Sequence, residues 1–167
     1  MSMRFCPRCA APLKQVDLGG ASRMACPEAA CGYVHWDNPI PVVAAIVEHE
    51  GSVVLARNRS WPENMYRLVT GFLERGESPQ QGVAREVKEE LDLDASTTNL
   101  VGVYAFERKN ELIIAYHVEA AGVISLNEEE LVDYRAIALA RLRPWKFDTG
   151  LALADWLRGR GLEVNFF

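Results

Sequence analysis

The chain has 167 residues, of which 49% are hydrophobic and 25% charged, with a formal net charge of −5. This is one ordinary globular domain, or one domain with a small appendage. No run of 18 apolar residues is present, which argues against a membrane-spanning helix, and the acidic balance argues against a nucleic-acid partner. The N-terminus has no apolar signal core or cleavage site, so the chain reads as cytoplasmic.

All four cysteines lie in the first 31 residues, spaced Cys6-x2-Cys9 and Cys26-x4-Cys31. Without a secretion signal, a metal site is a better reading than two disulfides. Four thiolates in two close pairs suit a closed, tetrahedral, structural Zn2+ site, with His35 as a substitute ligand four residues after Cys31. Residues 1–36 are too few to fold on their own apolar core, so a zinc ribbon over 1–36 and a main domain over 37–167 are expected. Arg4, Arg8, Lys14 and Arg23 give the first segment some local basic character.

After the break at Asp37-Asn38-Pro39, the run Pro41–Val47 reads as a strand buried on both faces. Glu50-Gly51 signals a hairpin, with Val53–Ala56 returning. A polar loop follows, then a short strand over Tyr66–Phe72. Ser78 as N-cap, Pro79 in the first turn and Gln81 closing a capping box start a helix, and Val83, Val87 and Leu91 give it an apolar stripe. That helix is about 20 Å long. Leu100–Phe106, Leu112–Ala120 and Tyr134–Leu139 are further strands, and Gly150–Leu157 is a second helix. The tail from Glu163 to Phe167 reads as an edge strand or a frayed end.

The first helix carries a second face. Between Glu74 and Asp94 there are seven carboxylates and three basic residues. Glu86 and Glu90 lie one turn apart with Glu89 beside them, and like charges at that spacing repel. A hard divalent cation would turn the repulsion into binding. Gly71, Glu77, Arg85-Glu86-Val87, Glu89-Glu90 and Leu93 resemble the Nudix box, seven fixed residues over 23 positions, with one departure: Asp92 where the pattern has glycine. The departure concerns the helix exit, where glycine supplies a left-handed residue and aspartate is among the few others to visit that conformation.

The resemblance implies an α/β (α+β) Nudix fold, a mixed sheet flanked by helices and preceded by the small zinc ribbon. It also implies a Mg2+- or Mn2+-dependent enzyme. By resemblance Glu86 and Glu90 are metal ligands, Glu89 is a ligand or the base that orients water, Arg85 holds the acidic side chains, and the Thr70 carbonyl joins the coordination. A downstream carboxylate completes such sites, with Glu130 the first choice and Asp133 the second. A zinc ribbon ahead of this box resembles the branch that cleaves NADH, FAD or ADP-ribose, and Thr70-Gly71-Phe72 fits it. Pro144-Trp145-Lys146-Phe147 only partly resembles the Pro-Trp-Pro-Phe element of the NADH enzymes. The expected partner is a small-molecule nucleotide substrate, with Phe72, Glu74, Tyr104, Phe106 and Trp145 as contacts, and similar enzymes are often homodimers. Trp61, Tyr66, Tyr116 and Phe147 are further stacking candidates, whereas His49 and His117 read as structural. The alternative is a regulatory module that binds a nucleotide, or contacts nucleic acid, without cleaving it.

Overall fold

The computed structural model describes residues 3–167. The chain divides into two compact units, Met1–Pro39 and Ile40–Phe167. The smaller unit is a three-stranded antiparallel sheet of β1 (Lys14–Leu18), β2 (Ala21–Ala25) and β3 (Val34–His35), in that order. These strands carry no alternating apolar pattern, and among the unit's described apolar residues only Cys6, Leu13 and Ala25 are buried. Backbone ladders and two turns therefore do most of the shaping. The Cys6 N–H and carbonyl are both bonded within the first turn, to the Ala11 carbonyl and the Ala10 N–H at 2.8 Å.

The larger unit is built on a six-stranded mixed sheet. Its centre is β4 (Ile40–His49), the β-branched run foreseen in the sequence. One edge of β4 is shared. Residues 47–49 pair with β5 (Ser52–Asn58), and residues 42–45 pair with β6 (Val69–Phe72). The other edge runs parallel to β8 (Glu111–Ala121), which pairs in turn with β7 (Asp94–Phe106). β9 (Leu131–Ala138) lies outside β5. The β4–β5 hairpin turns at Glu50 and Gly51, both at positive φ (48° and 74°), the mirror-image turn that matches strand twist.

Helix α1 (Pro79–Leu91) covers one face of the sheet and α2 (Thr149–Gly159) the other. The alternation of β4 shows this directly. Val43, Ala45 and Val47 pack with Val83, Val87 and Leu91 of α1, while Ala44 and Ile46 pack with Ala152, Leu153 and Trp156 of α2. Each valine, leucine or isoleucine among them contributes about 1.5–3 kcal/mol when fully buried. His117 is buried and structural: its Nε2 lies 2.8 Å from Glu48, and its ring stacks on Trp156 with centroids 5.0 Å apart. No helix among the described residues is long and apolar enough to cross a membrane.

Two sequence expectations change. β7 begins at Asp94, six residues before Leu100, and is an edge strand with two bulges, so its first half is exposed and lacks an apolar signature. Residues 163–167 form no strand; the tail instead donates the Phe167 N–H to the Pro144 carbonyl at 3.0 Å.

Candidate active site

Helix α1 starts as its sequence dictates. Ser78 Oγ accepts the Gln81 N–H at 3.3 Å, Gln81 Oε1 accepts the Ser78 N–H at 2.8 Å, and Pro79 opens the first turn. Its end accommodates the unusual Asp92, which takes the left-handed conformation (φ 56°, ψ 24°) and donates its N–H to the Lys88 carbonyl. Lys88 Nζ reaches the Asp92 and Asp94 carboxylates at 2.8 and 3.0 Å. The aspartate thus serves in the glycine's place, with the lysine as its counter-ion.

Four carboxylates gather where α1 passes β6. Arg85 spreads its guanidinium over three of them: Nη2 donates to Glu77 Oε1 at 2.8 Å, and Nη1 donates to Glu86 and Glu89, each at 2.8 Å. Nη2 also donates to the Phe72 carbonyl at 3.1 Å, which ties the helix to the strand. Bonding to Glu77 first, and to Glu86 and Glu89, raises the Arg85 pKa further above its ordinary range. Glu77 also accepts the Glu74 N–H at 2.7 Å, so it braces the loop between β6 and α1; hydrogen bonds from Arg85 hold its own pKa down.

Glu86 rests on Gly71. A Cβ at that position would lie 1.8 Å from the Glu86 carboxyl carbon, so any larger residue would displace that carboxylate from its place. Burial pushes the Glu86 pKa up, against the pull of Arg85. Glu90 is in the extreme position: only 6% exposed, and outside the reach of Arg85's hydrogen bonds. Burial, and then repulsion from Glu86, Glu130 and Glu89, push its pKa up to about 8. A buried carboxylate among like charges is held in its neutral form until a cation arrives.

Glu130 thus stands close enough to act on both Glu86 and Glu90. Asp133, the second choice, is engaged elsewhere: it accepts from the Tyr66 hydroxyl, which lowers its pKa. The five expected substrate contacts are scattered. Phe72 is 60% exposed and Glu74 is exposed at the start of the β6–α1 loop. Tyr104 donates to Asp155 at 3.0 Å. Trp145 is buried, with its indole N–H on Asp148 at 2.8 Å. Phe106 alone of the five lines a pocket of about 240 Å³ that begins at Thr70. The sequence reading passed over Arg67, Lys109 and Asp148, which line the same pocket. No local pattern marks them, because they come from a bridge residue beside β5, a tight turn and the entry to α2.

In the smaller unit the four cysteine Sγ atoms lie within 4.8 Å of one another. Cys6 and Cys31 are 3.6 Å apart, and Cys9 and Cys26 are 3.4 Å apart. A zinc tetrahedron with bonds of about 2.3 Å has sulfur–sulfur edges of about 3.8 Å, so the set fits the ion. Against the effect of desolvation, backbone N–H groups of Arg8 and Cys9 bring the Cys6 thiol down to about 7, while desolvation pushes Cys26 up to about 12. His35 pairs with Asp37 at 3.6 Å and stands outside the cluster.

The NUDIX domain family matches residues 38–156. The NAD-capped RNA hydrolase NudC of Stutzerimonas stutzeri is 32% identical over 133 residues, covering 79% of this chain and 47% of the relative. The Vibrio atlanticus NudC is 30% identical, covering 79% and 48%. The chain therefore spans about half the length of these relatives. Among solved structures, a NUDIX hydrolase from Nitrosomonas europaea superposes with a TM-score of 0.77 at 24% identity, covering 99% of this chain and 97% of that one. An ADP-ribose pyrophosphatase from Streptococcus suis gives 0.60 at 21% identity, covering 78% and 100%. At these identities the structural likeness speaks to fold alone.

Proposed function

The chain belongs to the Nudix family, and on that footing we propose that it is a cytoplasmic, metal-dependent hydrolase of the diphosphate linkage in a small nucleoside diphosphate derivative of the NADH, FAD or ADP-ribose class. The observation that carries this reading is Glu90, buried among Glu86, Glu89 and Glu130 without a basic partner of its own. Oxygen ligands alone, in a crowded anionic set, suit magnesium or manganese. Either ion, bound by Glu86, Glu90, Glu130 and the Thr70 carbonyl, would screen a diphosphate and acidify a bound water.

The protein groups divide the remaining work. Arg85 fixes Glu86 and Glu89 at 2.8 Å, so neither carboxylate must be ordered during reaction. Glu89 is exposed, at 56%, where water can reach it; it orients that water and takes its proton. Oxygen adds to one phosphorus, the anhydride bond breaks, and two phosphomonoesters leave. We further assign 1–36 as a zinc ribbon held by Cys6, Cys9, Cys26 and Cys31, and 37–167 as the hydrolase domain. The names of the NudC relatives support a nicotinamide dinucleotide as the first substrate to try.

The test is release of phosphomonoester from NADH, FAD and ADP-ribose with and without magnesium. Glu89→Gln and Glu90→Gln should each lower turnover at least about a hundredfold. Near-normal turnover in both variants would sink the assignment.

A further inference from the structure

The 240 Å³ pocket beginning at Thr70 lies on the α2 face of the sheet, across β6 from Glu86. In β6, Gly71 faces the acidic cluster, so Thr70 beside it faces the other way. The walls are mostly apolar: Val42, Leu68 and Ile113 with the rings of Trp61, Phe106 and Phe147. A flat ring fits such walls.

Four charged residues also line it, and three are engaged: Lys109 pairs with Glu111 at 3.9 Å, and Asp148 accepts from Trp145 and Thr149, which leaves Arg67. Its backbone exchanges two 2.9 Å bonds with Ala56, which fixes its position beside β5. Its guanidinium carbon lies 4.4 Å from the Trp145 ring centroid and 4.7 Å from that of Phe147. Stacking satisfies the faces of a guanidinium and leaves its N–H edge free. Here Nη1 is shut off from solvent and has no hydrogen-bond partner. The nearest counter-charge, Asp148, already accepts from Trp145 Nε1 at 2.8 Å and Thr149 Oγ1 at 2.9 Å. Arg67 also lines a second cavity of about 570 Å³ behind Trp145 and Phe147, so the guanidinium has room to tip. A dry donor that lacks an acceptor in the free protein gains most from a ligand that brings one.

We propose that Arg67 is a specificity-determining residue, which selects substrates whose flat head group carries a ring-edge carbonyl oxygen for its unpartnered N–H. This rests on the diphosphate-hydrolase reading and refines it. Of the two rings of a dinucleotide, the pocket takes the one with a carbonyl: a carbonyl oxygen offers two lone pairs, whereas each ring nitrogen of adenine offers one and its amino group is itself a donor.

Two ligands that differ along one ring edge decide the matter: ADP-ribose, and its analogue with hypoxanthine in place of adenine, in which the 6-amino group becomes a carbonyl and N1 gains a proton. Binding of each to the full chain is measured by calorimetry with magnesium present. The unmodified protein should bind the hypoxanthine compound about tenfold more tightly, the size of one hydrogen bond to a charged donor. Arg67→Met, which keeps much of the stacking volume, should bring the ratio of the two affinities to about one. Arg67→Lys should keep only part of the preference, since a lysine lacks the planar fork. Equal or reversed affinities in the unmodified protein would overturn the proposal, and this arm needs no variant to fold. An equal loss for both ligands in Arg67→Met would reduce Arg67 to a packing role and overturn it too. Failure of the hydrolase reading looks different: both ligands would go uncleaved, with the affinity ratio still readable.

Discussion

The four thiols of the smaller unit and the four carboxylates around α1 are both crowded sets of acidic groups, and they handle crowding in opposite ways. The sulfurs converge on one another, at 3.4–3.6 Å within each pair, and no basic side chain separates them. The carboxylates are bridged by Arg85, which shares its single charge among Glu77, Glu86 and Glu89 and leaves Glu90 to its acidic neighbours. The first arrangement has four ligands and no open position, which suits a structural ion. The second has one permanent cation and one carboxylate kept in reserve, which suits an ion that must share its coordination with a substrate. Closure serves stability, and incompleteness serves chemistry.

The comparison breaks first at the sulfurs. Structural zinc in small domains contributes about 10 kcal/mol or more to folding. A strong chelator should therefore abolish the dispersed amide resonances of Lys14–Leu18 and Ala21–Ala25 and leave those of β4 and β8 in place. If the β1–β2 resonances survived in metal-free protein, the closed-site half of the comparison would be lost.

A smaller effect sharpens the carboxylate half. The Glu90 pKa in the folded protein, about 8, lies above its ordinary value of 4.5. The folded state then binds more protons than the unfolded state between these two values, so stability falls as pH rises through that window. The size is up to about 4 kcal/mol in magnesium-free protein. Urea melts from pH 4.5 to 8 should show this decline, and Glu90→Gln should flatten it. A stability that rose over the same range in the unmodified protein would mean that Glu90 is already paired.

The smallest effect separates geometry from charge at the end of α1. Asp92→Gly relieves a left-handed non-glycine residue but removes the Lys88–Asp92 pair at 2.8 Å. These terms oppose one another at about 0.5–1 kcal/mol each, so the melting temperature should move by no more than a few degrees and turnover should hold. A large loss of turnover would show that the helix exit reaches the acidic cluster.

What could be read from the sequence was what local chemistry decides. Ser78, Pro79 and Gln81 fixed the start of α1, and the continuous run Val42–Val47 declared a strand with both faces covered. Glu86, Glu89 and Glu90 came with their spacing. Two kinds of information were out of reach. Edge strands such as the first half of β7 are held by backbone ladders and show no apolar pattern. Long-range meetings leave no local trace either: Arg67 under Trp145 and Phe147, or Asp133 claimed by Tyr66, joins residues more than sixty positions apart. Glu130 could be ranked over Asp133 from its neighbourhood, but that Tyr66 holds Asp133 could not be foreseen.

Gly71 carries a consequence beyond its own position. The space between the β6 backbone and the Glu86 carboxylate is less than one methyl group there, since any side chain would occupy that carboxyl's place. Strand and helix are thereby set to a fixed tolerance, like two machined parts that meet without a shim. The Thr70 carbonyl on the strand and the Glu86 oxygens on the helix are then spaced by the covalent backbone on one side and by contact on the other. Precision at the site comes from an atom that is missing.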